Sequence, residues 1–437
     1  MQKYQRLSNI ALNRLFEHKE SKIIALLGAR QVGKTTLLME LTSRWPGKVI
    51  KYVGDKLEDA ELWRGNFRDI VRELEANLGE RFDNIEKPAL LIFDEVQKIP
   101  EAFDNLKVLH DDFKKKIKIA VSGSSSLQLL HRTTESLGGR VEIVTMYPLS
   151  FTEILGRQPE PVWMEKSGKD FAFILDDIIK KSRVAEEASR ALEKALVFGL
   201  FPEAYLQEKV DEVRLLYQNY HQTYIEKDVR DLKEVGNVLD FDLVWKIAHR
   251  ASGQLINYTN ISKETGLAHN TVKKYISILA ASFNISIFQA YSRSLRRRVV
   301  RSPKLFSVDI GFFNHCLDIF NLERLAAAQL TGVSFESVMI AEFLKQERGF
   351  IRGGEPYFYR TSANAEVDLV VERGVDLYAY EFKYSERRPE PSDFNGIRSL
   401  LTAARDRLKA GFVVSRYPHA EKYADNLFAV PWWYFCS

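Results

Sequence analysis

The stretch KIIALLGARQVGKTTLLMEL, residues 22–41, decides how the first part of this chain folds. An apolar run from Ile23 to Leu27 breaks at Gly28, passes through Ala29, Arg30, Gln31 and Val32 to Gly33, and then meets Lys34, Thr35 and Thr36 at the head of a helical pattern. Strand, glycine loop and helix are the context that the phosphate-binding spacing G-x-x-x-x-G-K-[ST] requires. The glycines let the backbone curl so that successive N–H groups turn toward phosphate oxygens, and the helix N-terminus adds its partial positive charge. Residues 28–36 are therefore the expected nucleotide-binding set, with Lys34 on the β- and γ-phosphates and the Thr35 hydroxyl on Mg²⁺.

A second stretch, PALLIFDE at residues 88–95, reads as a buried parallel strand that ends in two carboxylates. Asp94 is placed to share the Mg²⁺ with Thr35, and Glu95 to activate the water that attacks the γ-phosphate. The bland alternative is that both acids merely leave a strand for a loop. A third apolar run, residues 117–121, enters SGSSS at 122–126, where small hydroxyls such as Ser124 have the γ-phosphate in reach; Ser and Gly are also ordinary turn formers. Strands are expected at 22–27, 49–53, 89–94, 117–122 and 142–146. Their alternation with amphipathic helices predicts a three-layer α/β domain with a parallel sheet. Leu7, Ile10, Ala11 and Leu15 put a covering helix in residues 1–20.

Here the chain resembles a known group. GARQVGKTTLL, LLIFDEVQKIP, VSGSSS and LGGRVEIVTMYPLSFTEIL are similar to prokaryotic AAA-type ATPases that carry a C-terminal domain of unknown function, and the resemblance continues in GLFPEAY (199–205), YIEKDVRDL (224–232) and PKLFSVDIGF (303–312). It implies ATP binding with Mg²⁺ in an AAA-type P-loop fold. It also points to Arg140 as an arginine that senses the γ-phosphate, in cis or between the subunits of a homo-oligomer.

Composition sets outer bounds. The chain has 437 residues, 45% hydrophobic and 28% charged, enough for two to four domains. Its two cysteines, Cys316 and Cys436, have no metal-type spacing, which argues against a disulfide framework or zinc site and suits a reducing cytoplasm. No apolar run approaches the roughly 20 residues that cross a bilayer. The N-terminus lacks the apolar core of a signal peptide, so a cytoplasmic location is expected. A net charge of +4 does not by itself argue for a nucleic-acid partner.

Local charge does. After a helix-forming region at 156–240, read as a lid or linker, residues 241–312 contain ISKETGLAHNTVKKYISIL (261–279), with the rhythm of helix, glycine turn and helix. Val272, Ile276 and Leu279 share one face, leaving His269, Asn270, Thr271, Lys273, Lys274 and Ser277 for phosphates and base edges. Downstream, Arg293, Arg296, Arg297, Arg298, Arg301 and Lys304 form a basic segment that reads as the wing of a winged helix. The alternatives are a packing module, or a basic surface that grips an acidic protein.

In residues 313–437 two β-type runs, 367–372 and 377–383, flank RGVD at 373–376 and predict a hairpin. If opposed residues sum to 749, Asp368 faces Glu381, and Lys383 points the same way. Two carboxylates and a lysine on one patch suit metal-assisted phosphodiester hydrolysis, with Asp368 and Glu381 on Mg²⁺ or Mn²⁺ and Lys383 at the attacking hydroxide. The order Asp368, Glu381, Lys383 resembles the PD-(D/E)XK nucleases, and Glu336, with Glu342 a weaker candidate, supplies the acid that such folds place upstream. Glu-Val-Asp stands here where Pro-Asp is common in that group. The alternatives are a surface ion pair, or a nuclease-like fold kept for binding alone.

The expected organisation is an AAA-type P-loop ATPase domain at 1–155, a helical region at 156–240, a winged helix at 241–312 and an α/β restriction-endonuclease-like domain at 313–437. The expected function couples nucleotide state to nucleic-acid binding and metal-dependent cleavage. The rival is an ATP-dependent switch or chaperone-like ATPase that binds a protein partner.

Overall fold

Five apolar runs become five parallel strands: β1 (Ile23–Leu27), β2 (Val49–Val53), β3 (Ala89–Asp94), β4 (Ile117–Ser122) and β5 (Val141–Thr145). They lie in the order β2-β3-β4-β1-β5. β1 and β4 are buried at every position and β3 at all but its last, the signature of a sheet covered on both faces. Helix α1 (Lys34–Arg44) leaves directly from the loop after β1. Helices α2 (Leu57–Arg64), α3 (Phe67–Leu78) and α4 (Ala102–Phe113) bury Trp63, Leu74, Phe103 and Leu106 with Ile23, Leu91, Phe93 and Ile119 in one core. Because all five strands run the same way, the loop after β1 and the ends of β3 and β4 come out on one edge. Ligands of open α/β sheets bind at that edge.

The protein's structure, a computed structural model, describes residues 4–10, 12–13, 22–123, 137–156, 166–230, 232, 234–292, 302–349 and 354–436. The covering helix expected in residues 1–20 lies mostly outside these. The strands form one compact unit, Arg6–Tyr147 with Ala281–Phe283; the second unit comprises Met1–Gln5, Pro148–Ala280 and Asn284–Ser437. The three segments read separately as 156–240, 241–312 and 313–437 thus share a compact unit.

In that second unit the helical region supplies α5 (Phe151–Ile154), α6 (Phe171–Lys180), α7 (Val184–Phe198) and α8 (Val210–Thr223). Next come α9 (Val238–Arg250), a short strand β6 (Gln254–Leu255), α10 (Tyr258–Thr265), α11 (His269–Ala281), β7 (Ile285–Ala290) and β8 (Lys304–Ser307). Asn257 caps α10 by accepting from the Asn260 N–H at 3.0 Å, and left-handed Gly266 ends it, so the turn chemistry read from the sequence sits where it was needed. Val272, Ile276 and Leu279 are fully buried, as their shared face requires.

The remaining strands are β9 (Glu355–Arg360), β10 (Glu366–Arg373), β11 (Asp376–Lys383), β12 (Leu408–Ser415), β13 (Glu421–Ala424) and β14 (Leu427–Pro431). Among the described residues the nine strands of this unit form one sheet, β13-β14-β12-β11-β10-β9-β7-β8-β6, because β7 pairs in parallel with β9 through Gln289 opposite Tyr357 and Ala290 opposite Phe358. α12 (Ile310–Leu317) and the 19-residue α13 (Thr331–Gly349) pack Phe313, Phe335, Met339 and Phe343 into the core beneath it.

Two stretches that carried the resemblance meet here. Asp309 accepts from the Leu200 N–H at 2.6 Å and from the Tyr217 hydroxyl at 2.7 Å. Gly199, at φ +74°, passes so close that a Cβ would stand 2.1 Å from the Asp309 carboxylate. Glu342, the weaker candidate for the upstream acid, has another role: it is fully buried, accepts from the Phe151 N–H at 3.0 Å at the start of α5, and takes a second bond from Gln346. It caps a helix and stays in the core.

Candidate functional site

The first site grows from the loop after β1. Gly28 takes φ +150°, and a Cβ there would lie 2.1 Å from the Met146 carbonyl oxygen, so only glycine lets the chain leave the sheet at this point. Gly33, at φ +98°, is the left-handed residue from which α1 starts. The Lys34 ammonium is buried and donates to the Gly28 and Ala29 carbonyls, both at 2.8 Å. It is thus held by the loop's own carbonyls. Arg30 is partly buried, Gln31 takes φ +60°, Val32 is buried, and Thr35 and Thr36 are exposed at the mouth.

Strand ends bring the acids to this mouth. Thr35 Oγ1 donates to Asp94 Oδ2 at 3.0 Å, and the Ser122 hydroxyl donates to Asp94 Oδ1. A hydroxyl and a carboxylate set together are the donor types a hard divalent cation takes, so Thr35 and Asp94 fit Mg²⁺. Glu95, at φ +53°, turns sharply off β3, and its Oε2 accepts from Gln97 Nε2 at 2.6 Å. Ser124 lies outside the described residues.

Arg140 is elsewhere. It precedes β5, its carbonyl accepts from the Ile23 N–H at 2.8 Å, and Val141 pairs with Ile23, so it stands at the start of β1 while the phosphate loop follows the end. About 13 Å of strand separates the two edges, at about 3.3 Å per residue. Reading Arg140 as a γ-phosphate sensor in cis is corrected by this geometry. Its Nε donates to Asp111 Oδ1 at 2.7 Å, and that bond holds the Asp111 carboxyl below its usual range.

Two residues that sequence reasoning passed over belong to this site. Gln97 is buried and steadies Glu95. Arg6 is also buried, donating from Nη1 to the Val32 carbonyl at 2.7 Å and from Nη2 to the Tyr147 carbonyl at 2.6 Å. Neither had a motif to announce it.

The second constellation lies on the nine-stranded sheet. Leu369 faces Tyr380 and Arg373 faces Asp376, so opposed residues sum to 749 and the hairpin closes on the two-residue turn Gly374-Val375. Continuing that register sets Asp368 across from Glu381. A bulge in β10 against β9 falls between Val367 and Val370, the device that re-aims a side chain within a strand, and Asp368 Oδ2 accepts from the Phe382 N–H at 2.8 Å. Lys383 Nζ bonds Glu381 Oε1 at 2.7 Å, while Glu381 Oε2 is buried with no hydrogen-bond partner.

The sequence reading placed Lys304 among the cations of an exposed wing; the structure corrects this. Lys304 is 4% exposed, and its ammonium lies 2.6 Å from Glu336, 2.9 Å from Glu366 and 3.9 Å from Asp368. β8 carries it to α13 and β10, and Glu366, which no motif singled out, completes the shell. Among the described residues, no three or more His, Cys, Asp or Glu side chains form a group that could hold a metal ion. In this arrangement the Lys304 ammonium, and not a metal ion, is the cation that the acids around Asp368 hold. Arg293, Arg296, Arg297, Arg298 and Arg301 lie outside the described residues. His269, Asn270, Lys273, Lys274 and Ser277 are exposed along α11, Thr271 is partly so, and Lys273 Nζ sits 5.5 Å from the centre of the Tyr258 ring.

Four carboxylates face two lysines here. Burial, reinforced by the charge of Asp368, pushes both Glu336 and Glu381 up to about 8 against the pull of the lysines. An acid raised in the fold favours folding most when pH is below its unfolded value, and that favour is lost as pH rises through the folded value. Glu381→Gln is uncharged at every pH and escapes this loss. Between pH 5 and pH 9 its stability is therefore expected to gain steadily on wild type, by about 1–3 kcal/mol in urea unfolding. A difference that stays flat with pH would mean that Glu381 is already ionised in the fold.

Three family models match this chain. Residues 20–155 match the AAA domain family, residues 189–323 a domain of unknown function (DUF8612), and residues 331–435 another (DUF4143). The uncharacterized protein Rv2008c of Mycobacterium tuberculosis is 24% identical over 411 residues, covering 94% of this chain and 80% of that one. The uncharacterized protein MJ1637 of Methanocaldococcus jannaschii is 26% identical over 314 residues, covering 67% and 62%. A Walker-type ATPase of Pyrococcus abyssi, PABY2304, is 16% identical with a TM-score of 0.40, covering 71% of this chain and 94% of that one. The N-terminal α/β region, with its parallel sheet and phosphate loop, is the part of the chain that is similar to the AAA domain family. No helix among the described residues is long and apolar enough to cross a membrane.

Proposed function

We propose that this protein binds and hydrolyses ATP with Mg²⁺, and that the nucleotide state governs contact between its second unit and nucleic acid. One observation carries the ATPase reading: the Thr35 hydroxyl bonded to Asp94 at 3.0 Å on the same sheet edge as the glycine loop, with Glu95 following Asp94. Gly28 to Thr36 bind the phosphates and Thr35 and Asp94 hold the Mg²⁺; Ser124 stays the sequence's candidate for the γ-phosphate. The metal, when bound, neutralises charge on the β- and γ-phosphates. Glu95 takes a proton from the attacking water, and Lys34 leaves the Gly28 and Ala29 carbonyls for the phosphate oxygens. Arg140, on the far edge of its own sheet, serves the γ-phosphate of a neighbouring subunit in a homo-oligomer.

The order of α9, β6, α10, α11 and the β7-β8 hairpin supports a winged-helix reading, and exposed Lys273 and Lys274 on α11 supply phosphate contacts. Arg296, Arg297, Arg298 and Arg301, outside the described residues, are the further candidates for phosphate contact that the sequence offers. The mixed sheet and the convergence of Glu336, Asp368, Glu381 and Lys383 support a nuclease-like fold for the C-terminal part. Cleavage with Mg²⁺ or Mn²⁺ would require Lys304 to release Glu336 and Glu366, so the reading favoured is binding without cutting in the arrangement described. The second reading is a switch that binds an acidic protein partner through the same lysines.

The test pairs ATP turnover with binding. ATP hydrolysis is expected to need Mg²⁺ and to vanish in Lys34→Ala. Binding to short DNA and RNA is expected to weaken steeply with salt, to fall about tenfold in Lys273→Ala with Lys274→Ala, and to differ between ATP and ADP. Hydrolysis without any nucleic-acid binding would favour the protein-partner switch. Cutting that depends on Asp368 and on added metal would establish the nuclease.

A further inference from the structure

A phosphate cradle works only if its peptide planes are turned the right way. In a trans peptide the carbonyl and the following N–H point in opposite directions. The Val32 carbonyl and the Gly33 N–H belong to one such plane, and the Arg6 guanidinium holds that carbonyl at 2.7 Å. With its oxygen tethered toward Arg6, the plane turns the Gly33 N–H away from Arg6. The second prong, to the Tyr147 carbonyl at 2.6 Å, anchors the guanidinium to the backbone just beyond β5. Tyr147 is buried and its ring meets Phe283 edge-on, so the anchor sits on packed structure.

The loop's carbonyls are thus divided between two cations. Gly28 and Ala29 are held by Lys34, and Val32 by Arg6. These two holds differ in what nucleotide does to them. Lys34 must exchange its carbonyls for phosphate oxygens. Arg6 keeps the Val32 carbonyl, and a Cβ on Gly33 would stand 3.5 Å from its Nη1, so it lies against the residue from which α1 starts. Its fixed fork, with two donors on one plane, suits the two carbonyls in a way a lysine cannot copy.

We propose that Arg6 is a positioning residue of the nucleotide site: it braces the Val32–Gly33 peptide so that the loop is already shaped for the phosphates of ATP or ADP. This rests on the ATP-binding reading above and adds to it a residue outside the motif. Its effect is on affinity for the phosphate chain, whether or not a base is attached.

The full-length protein, its Arg6→Ala and Arg6→Lys variants and Lys34→Ala are titrated with fluorescent ADP and with inorganic tripolyphosphate, and the melting temperature of each is measured without ligand. The expected result is a loss of about tenfold or more in affinity for both ligands in Arg6→Ala and a smaller, parallel loss in Arg6→Lys, whose ligand-free melting temperature stays near wild type. A wild type that binds neither ligand would remove the nucleotide reading itself. If wild type binds and Lys34→Ala does not, but folded Arg6→Lys and Arg6→Ala bind as wild type does, the brace is overturned. A loss confined to ADP would overturn it as well, by placing Arg6 at the nucleoside. Should Arg6→Ala fail to fold, Arg6→Lys alone decides: unchanged affinity overturns the proposal and a parallel loss supports it.

Discussion

Glu95→Gln is expected to bind ATP within about twofold of wild type and to hydrolyse it roughly 10²–10⁴ times more slowly, the range a positioned general base supplies. The phosphate-binding groups are not touched by the change: the loop from Gly28 to Gly33, the Lys34 ammonium and the Thr35–Asp94 pair all keep their partners. Glutamine preserves the size and one acceptor oxygen, so the bond from Gln97 survives. Only the capacity to take a proton is removed. The signature is a fall in kcat with KM nearly constant, read from single-turnover phosphate release beside a fluorescent-ATP titration. Lys34→Ala should instead lose binding and turnover together. Turnover of Glu95→Gln within tenfold of wild type would give the base to another group.

Lys304→Met is expected to cost the second unit about 3–5 kcal/mol, the range for breaking a buried ion pair by removing one partner. Methionine fills the volume of the buried stem, so the loss isolates the charge. Without the ammonium, Glu336, Glu366 and Asp368 face one another in a site where burial already raises the two that are most enclosed. Adding Glu336→Gln should restore about half of the loss, because the two changes touch one network and cannot be additive. The check is urea unfolding of the single and double variants beside wild type at one fixed pH. A cost below about 1 kcal/mol for the single variant would show that the cluster holds its charges without Lys304.

How much of this was legible in sequence divides along a physical line. The glycine loop, the carboxylates after β3 and the register of the hairpin are local: each follows from residues within a few positions, and backbone geometry does the rest. The exposed and buried faces of α11 were legible for the same reason. What the sequence did not carry were pairings across long stretches of chain. Lys304 sits three residues after Arg301 and reads as one more wing cation, yet strand pairing turns it inward to acids 32 and 62 positions away. Arg6 lies 26 and 141 positions from the carbonyls it holds. Arg140 follows the same logic in reverse, since its place at the start of β5 fixes which edge of the sheet it serves, a matter of topology and not of motif.

The pairing of β7 with β9 changes what a fragment of this chain would be. The family match to residues 331–435 marks a similarity, but its boundary cuts the sheet between two bonded neighbours. A protein trimmed there would present the outer side of β9 as a bare ladder of N–H and C=O groups, a template on which another chain can add itself. It would also lack Lys304, leaving Glu336 and Glu366 without the charge they share. Such a fragment is expected to aggregate through that bare strand, a mode of association the full-length chain closes off by pairing β9 with β7.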